Sequence, residues 1–388
     1  MFNFTALPPL SLYVHLPWCV RKCPYCDFNS HQAQDDFPEQ RYVDALIADL
    51  EQDLPQIWGR QVVSIFFGGG TPSLFSASAL ERLLEAIRAR LVLRADAEIT
   101  LEANPGTVDQ ERFAGYRAAG INRLSLGIQS FDTAALKRLG RIHDADQARR
   151  AIETAHAAGF DNFNVDLMYG LPEQTLSGAL TDIQTALSFA PTHLSHYQLT
   201  IEPNTRFHHS PPRLPEDDLI WDMHEACLDA LGTAGYPRYE VSAYAQPGRR
   251  CRHNLNYWRF GDYLGIGAGA HAKITDASSA TITRISKRRH PRDYLANAAG
   301  ASRVDQRKTL SAADATFEFV LNALRLVDGF DAQLFVERTG LSLAQIQTPL
   351  REAVQRGWLS WREPNVRPSA EGMRVLNEVL LLFLPEAA

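Results

Sequence analysis

The sequence predicts an α/β fold, a partial (β/α)6 TIM-like barrel followed by a small C-terminal winged-helix-like domain. Three observations carry this expectation. Short β-rich runs alternate with amphipathic helical runs over the first 245 or so residues. Polar and glycine-rich segments fall, one after another, at the C-terminal ends of those strands. Beyond about residue 236 the pattern changes, first to further strands and then to helices.

The strand candidates are Leu12–Leu16, Val62–Phe67, Glu98–Glu102, Arg123–Ile128, Asn162–Met168 and Leu194–Ile201. Helical patterns lie near residues 39–54, 76–91, 108–119, 146–158, 175–189 and 216–234, and Gly120, Gly159 and Gly235 stand where a left-handed C-terminal stop is needed. Strand–helix units in series build a parallel sheet with right-handed crossovers. An open doubly wound sheet shares that periodicity, so the position of the polar segments decides. CVRKCPYC follows the first strand, GGGTP the second, Glu102–Pro105 the third and Gln129 the fourth; Asp166 ends the fifth and Glu202 follows the sixth. A barrel gathers such positions onto one rim, where barrel enzymes keep their sites.

The chain divides into residues 1–245, the barrel; 246–309, a β-rich extension with a hairpin around Asp276–Ser279; and 310–388, a helical cap with a β-like stretch near Trp358–Trp361. The terminal VLLLFLP reads as the end of a buried helix. The cap lacks a basic recognition helix and the formal net charge is −6, so packing or partner docking is expected of it rather than nucleic-acid binding. Lys287-Arg288-Arg289-His290 reads as a solvated loop face. The N-terminal MFNFTALPPLSLYVHLPWC has neither a charged leader nor a long apolar run, and no segment is long enough to span a bilayer; a cytoplasmic protein is expected.

Five cysteines, three of them within eight residues, suit a metal site in a reducing compartment better than a disulfide framework. Cys19, Cys23 and Cys26 form a C-x3-C-x2-C loop after a strand, and three such thiolates can ligate three irons of a cubane cluster, leaving one iron open. A zinc site completed by His15 or His31 is the competing reading. Gly68-Gly69-Gly70-Thr71-Pro72 is either a tight turn or a close approach of backbone to a ligand. Glu102 is either a ribose acceptor or a surface carboxylate. In HNLNYW, His253 offers an axial heme ligand and Tyr257 and Trp258 aromatic area, or all of them pack a loop. Cys227, on the apolar side of a helix, reads as core, and Cys251 as a bystander thiol.

The cysteine loop with Tyr25 before its last cysteine, after Tyr-Val-His-Leu-Pro, resembles the signature of the radical S-adenosylmethionine (SAM) superfamily. LYVHLPWC, CDFNSH, FFGGGTPS, EANPG, RLSLGIQSF, RLGRIH, NVDLMYGLPEQ, YQLTIEPNT, HNLNYWR and GIGAGAH extend the resemblance over nearly the whole chain, to the branch of oxygen-independent coproporphyrinogen III dehydrogenase and, within it, to the heme chaperones. The resemblance implies a [4Fe-4S] cluster on Cys19, Cys23 and Cys26, with SAM at the open iron and its cleavage to a 5′-deoxyadenosyl radical. It further implies a SAM pocket of Tyr13, Tyr25, Gly69, Gly70, Thr71, Glu102, Gln129, Arg141 and Asp166, with Arg141 pairing the SAM carboxylate. For the chaperone branch it implies heme near His253, Asn254, Tyr257 and Trp258, and a heme-acceptor protein, membrane-associated or not, as partner. Two departures point away from porphyrinogen decarboxylation: Phe28 stands where the dehydrogenase carries a further cysteine, and the first strand starts near residue 12 without that enzyme's N-terminal extension.

Overall fold

A computed structural model describes residues 2–33, 37–107 and 109–384, and a single sheet of twelve strands forms its frame. In chain order these are β1 (Leu10–Leu16), β2 (Gln61–Gly69), β3 (Val92–Ala103), β4 (Arg123–Gln129), β5 (Phe163–Tyr169), β6 (His193–Gln198), β7 (Arg238–Glu240), β8 (Ala243–Ala245), β9 (Asp262–Ile266), β10 (His271–Asp276), β11 (Thr281–Lys287) and β12 (Val304–Thr309). They lie in the order β12-β11-β10-β9-β1-β2-β3-β4-β5-β6-β8-β7. Strands β1 to β6 pair in parallel, each joined to the next through a helical crossover, and their C-terminal ends surround one cavity, as a partial barrel requires.

Strands β1, β4 and β5 are buried along almost their whole length, because crossover helices cover one face and the lumen the other. The helices begin where the sequence supplies a cap. Asp144 and Gln147 close a capping box on the helix Ala145–Ala157, and Asp109 accepts from the Arg112 amide at the start of Gln110–Ala119. That second helix stops at Gly120, whose φ of 104° lies in the left-handed region.

The region after residue 236 supplies the further strands expected there. PRYEVSAYA folds back on itself as the antiparallel pair β7–β8. DYLGI, expected among the strands of the extension, becomes β9, which runs parallel to β1 and closes its other side. The hairpin expected near Asp276–Ser279 is β10–β11, and Asp276 ties its turn by accepting from Ser278 and Ser279.

Lys287 corrects the reading of Lys287–His290 as a solvated face. Its ammonium is buried between Asp49 and Asp53 of the helix Glu39–Ile57, with Arg303 on the same two carboxylates. Strand alternation turns Lys287 inward, while Arg288, Arg289 and His290 remain exposed.

The C-terminal part packs its own apolar core of Phe319, Phe335, Leu350 and Val366 among others. Helices Ala312–Ala323, Ala332–Thr339 and Ala344–Gln355 carry a small antiparallel sheet of Phe330–Asp331, Asn365–Pro368 and Leu359–Arg362, the helix-and-wing arrangement expected of the cap. Of VLLLFLP, Val379, Leu380 and Phe383 pack inward, Leu381 and Leu384 face out, and Pro385 lies outside the described residues. Among the described residues no helix is long and apolar enough to cross a membrane.

Candidate functional site

Two cavities open at the C-terminal rim of the barrel. The smaller, about 360 Å3, is lined by Cys19, Cys23, Tyr25, Cys26, Gly69, Gly70, Thr71, Glu102, Gln129, Arg141, Asp166, His253 and Asn254. The larger, about 770 Å3, is lined by Tyr13, Tyr257 and Trp258, and Phe28, Phe66, Gly69 and Glu102 line both. The residues singled out from the sequence therefore gather at one end of the sheet, although they come from segments more than two hundred residues apart.

The cysteine loop leaves β1 and is pinned at both ends. Trp18–Cys19 pairs with His31–Gln32, and the Cys26 amide donates to the Cys23 carbonyl. Burial raises the pKa of the Cys19 thiol to about 11 and raises that of Cys26 as well. A bound cation is what would hold such thiols as thiolates. Three soft sulfur donors in one short loop suit iron–sulfur ligation. The imidazoles of the zinc reading lie elsewhere. His15 is bonded at both ring nitrogens, to the Tyr13 hydroxyl at 2.9 Å and the Asn29 carbonyl at 2.8 Å. His31 lines a separate recess beside His290.

The glycine triplet owes its composition to packing. A Cβ on Gly69 would stand 2.6 Å from the His15 ring, and one on Gly70 would stand 2.5 Å from the Trp18 carbonyl oxygen. Both glycines thus let β2 lie against the base of the cysteine loop, and the freed backbone faces the cavity. The Gly69 amide donates to Glu102 at 3.1 Å. Burial, reinforced by Asp166, raises the Glu102 pKa to about 8, so its carboxyl is largely protonated at neutral pH.

Arg141 donates to Asn104 Oδ1 at 2.6 Å and the Gly127 carbonyl at 2.7 Å, lies 3.6 Å from Cys23 Sγ, and keeps its buried Nε without a partner. Gln129 adopts φ 70° at the end of β4, where a side chain is strained, and accepts from Tyr197 at 2.9 Å. Asp166 accepts from Ser125 and Asn164.

His253 and Asn254 sit on the short helix Arg252–Trp258. The His253 ring is buried, with Nδ1 2.9 Å from Cys251 Sγ and 3.4 Å from Glu98, and it packs on Phe66 with the ring centroids 3.9 Å apart. It lines the smaller cavity, whereas Tyr257 and Trp258 line the larger one. Cys251 is therefore a hydrogen-bonded neighbour of His253, and Cys227 is core.

Several wall residues were not singled out from the sequence. Arg123 and Ser125, Asn164 beside the expected Asp166, and His193, Ser195 and Tyr197 all line the smaller cavity. In β4 and β5 these positions alternate with apolar ones, the mark of a lumen-facing row, and His193, Ser195 and Tyr197 keep the same alternate spacing in β6. Asn104 was another omission: it joins Thr71 Oγ1 to Arg141.

Comparison with known proteins agrees with this architecture. Residues 13–185 match the Radical SAM superfamily, and residues 310–375 match the HemN C-terminal domain. The solved structure of coproporphyrinogen III oxidase (HemN) from Escherichia coli superposes with a TM-score of 0.82 at 23% identity, covering 97% of this chain and 90% of that one. The heme chaperone HemW of Escherichia coli is 50% identical over 98% of this chain and 99% of its own length, and that of Haemophilus influenzae is 50% identical over the same shares. HemW of Bacillus subtilis is 32% identical over 97% of this chain. The chain belongs to the radical SAM superfamily and, within it, to the HemW family.

Proposed function

We propose that this chain is a heme chaperone that binds a [4Fe-4S] cluster, SAM and heme and passes the heme to an acceptor protein, working in the cytoplasm. The observation that carries the reading is the pair of adjoining cavities, one bearing three thiols and Arg141, the other walled by aromatic side chains.

In this reading Cys19, Cys23 and Cys26 hold the cluster. Arg141 pairs the SAM carboxylate through the guanidinium nitrogen that has no protein partner. Protonated Glu102 donates a hydrogen bond toward the ligand as well as accepting from Gly69. Tyr25, Gly70, Thr71, Gln129 and Asp166 complete the SAM wall. When bound, cluster and SAM together supply one-electron cleavage of a sulfonium. The barrel of residues 1–245 carries that site, the extension of 246–309 carries the heme wall with Tyr257 and Trp258, and the cap of 310–388 offers the face for an acceptor.

A planar tetrapyrrole suits the larger cavity, whose volume lies in the ~300–1,000 Å3 range of small-molecule sites. Tyr13 stacks on Phe66, and Tyr257 meets Tyr263 edge-on. Phe28, 60% exposed between the cavities, offers an aromatic face where the dehydrogenase branch has a further thiol.

The test is an anaerobic incubation of the cluster-reconstituted chain with SAM and either hemin or coproporphyrinogen III. Stoichiometric hemin binding without porphyrinogen turnover is the expected outcome. Decarboxylated product at catalytic turnover would refute the reading.

A further inference from the structure

We infer that the iron of the bound heme is ligated by His271, with Arg289 receiving a heme carboxylate. The inference rests on the proposal that the larger cavity takes heme, and it names the side chains that hold it there.

Four imidazoles lie around the adjoining cavities, and their environments differ. His193, on the smaller one, is bonded at both ring nitrogens, to Asn164 Oδ1 and to the Tyr239 hydroxyl. His15 is bonded at both ring nitrogens. His253 is held by Cys251 and Glu98, lines the smaller cavity, and is covered toward the larger one by Phe66. To reach iron in the larger cavity it would have to give up its contacts with the buried Cys251 thiol and Glu98 carboxylate. His271 is exposed on the wall of the larger cavity, and its ring makes no hydrogen bond among the described residues.

The sheet explains why His271 faces inward. In the β10–β11 pairing, His271 stands opposite Ser286 and Lys273 opposite Arg284; Tyr263 of β9 stands opposite Lys273, and Gln306 of β12 opposite Ser286. All six side chains line the cavity, so they form one pleated face, and the small Ser286 beside His271 leaves room over the imidazole.

The cations of the wall sort themselves in the same way. Lys273 is spent on Asp262, Lys287 on Asp49 and Asp53, and Arg284 on Glu318. Arg289 is exposed and ion-paired to no carboxylate among the described residues, its one side-chain contact being Asn29 Oδ1 at 3.4 Å. A guanidinium free at the cavity mouth is the group a carboxylate-bearing macrocycle would meet.

Hemin titration of the anaerobically reconstituted chain, read by magnetic circular dichroism, separates heme ligation from cluster absorption. The wild-type chain should give an imidazole-ligated spectrum. His271→Ala should lose that signature and bind hemin about tenfold more weakly or worse. His271→Met should keep hemin but show a thioether ligand, which reports that the fold and cavity survive. Arg289→Gln should weaken binding and leave the ligand signature unchanged. His253→Gln should keep the imidazole signature. Retention of the wild-type signature in His271→Ala, or its loss in His253→Gln, would overturn the assignment. Failure of the wild-type chain to bind hemin would instead overturn the chaperone proposal itself, and this inference with it.

Discussion

Lys287→Met should be strongly destabilising. The wild-type cluster holds two carboxylates, Asp49 and Asp53, against two cations, Lys287 and Arg303, and all four are buried. Tyr294 and the Gly267 amide donate to the remaining Asp49 oxygen at 2.8 and 3.1 Å, so the balance is complete in charge and in hydrogen bonds. Methionine fills the volume of the lysine stem but leaves two buried carboxylates facing one guanidinium. Breaking a buried pair in this way costs ~3–5 kcal/mol, a large part of the ~5–15 kcal/mol that holds a domain together. At about 2 °C per kcal/mol for a chain of this size, the midpoint of thermal unfolding should fall by ~6–10 °C. Adding Asp53→Asn restores one anion against one cation and should recover most of the loss. Differential scanning fluorimetry of the wild type, Lys287→Met and the double variant tests this directly. A single variant within about 1 °C of wild type, or a double variant lower than the single, would refute the charge-balance argument.

Three further outcomes follow from the site. Glu102 ionises from 4.5 when unfolded but only near about 8 when folded, so its contribution to stability is fullest below pH 4.5 and is lost as pH rises to about 8. Glu102→Gln should flatten that decline, worth ~3–5 kcal/mol if the burial is complete, as read from urea midpoints near pH 5 and pH 8.5. Gly70→Ala drives a methyl into the Trp18 carbonyl, a backbone atom that cannot swing aside. It should cost ~1–3 kcal/mol, and the purified protein should carry less iron per chain. Arg141→Lys cannot span Asn104 and the Gly127 carbonyl while also facing a ligand, and SAM affinity measured by calorimetry should drop about tenfold or more.

The fold was legible because β1 to β6 and their helices each carry a local signal: apolar runs between turns, caps such as Asp144, stops such as Gly120. The rim was legible because Cys19, Gly70, Glu102 and Gln129 fall just after strands. What escaped notice depends on partners far away in sequence. Lys287 reads as solvated beside Arg288 and Arg289, since nothing local reveals that Asp49 and Asp53, some two hundred and thirty residues earlier, await it. His271 and Tyr263 gain meaning only when β9 docks on β1 and the hairpin swings its inner face over the cavity. Glu98 reads as an ordinary strand residue until the His253 and Arg252 amides converge on it. The alternating polar rows in β4, β5 and β6 were readable from the sequence, and a stricter count of lumen-facing positions would have found Arg123, Asn164 and His193.

The docking of β9 on β1 also sets a timetable for synthesis. Strand β1 is interior in the finished sheet, with β2 on one side and β9 on the other, yet β9 leaves the ribosome long after it. From Leu16 to Asp262 is 246 residues, about 12–50 s at ~5–20 residues per second, during which one edge of the strand bearing the cysteine loop has no neighbour. A bare parallel edge is a template for wrong pairing. The nascent barrel must therefore wait, open on the side where the heme wall will later form, until two-thirds of the chain exists.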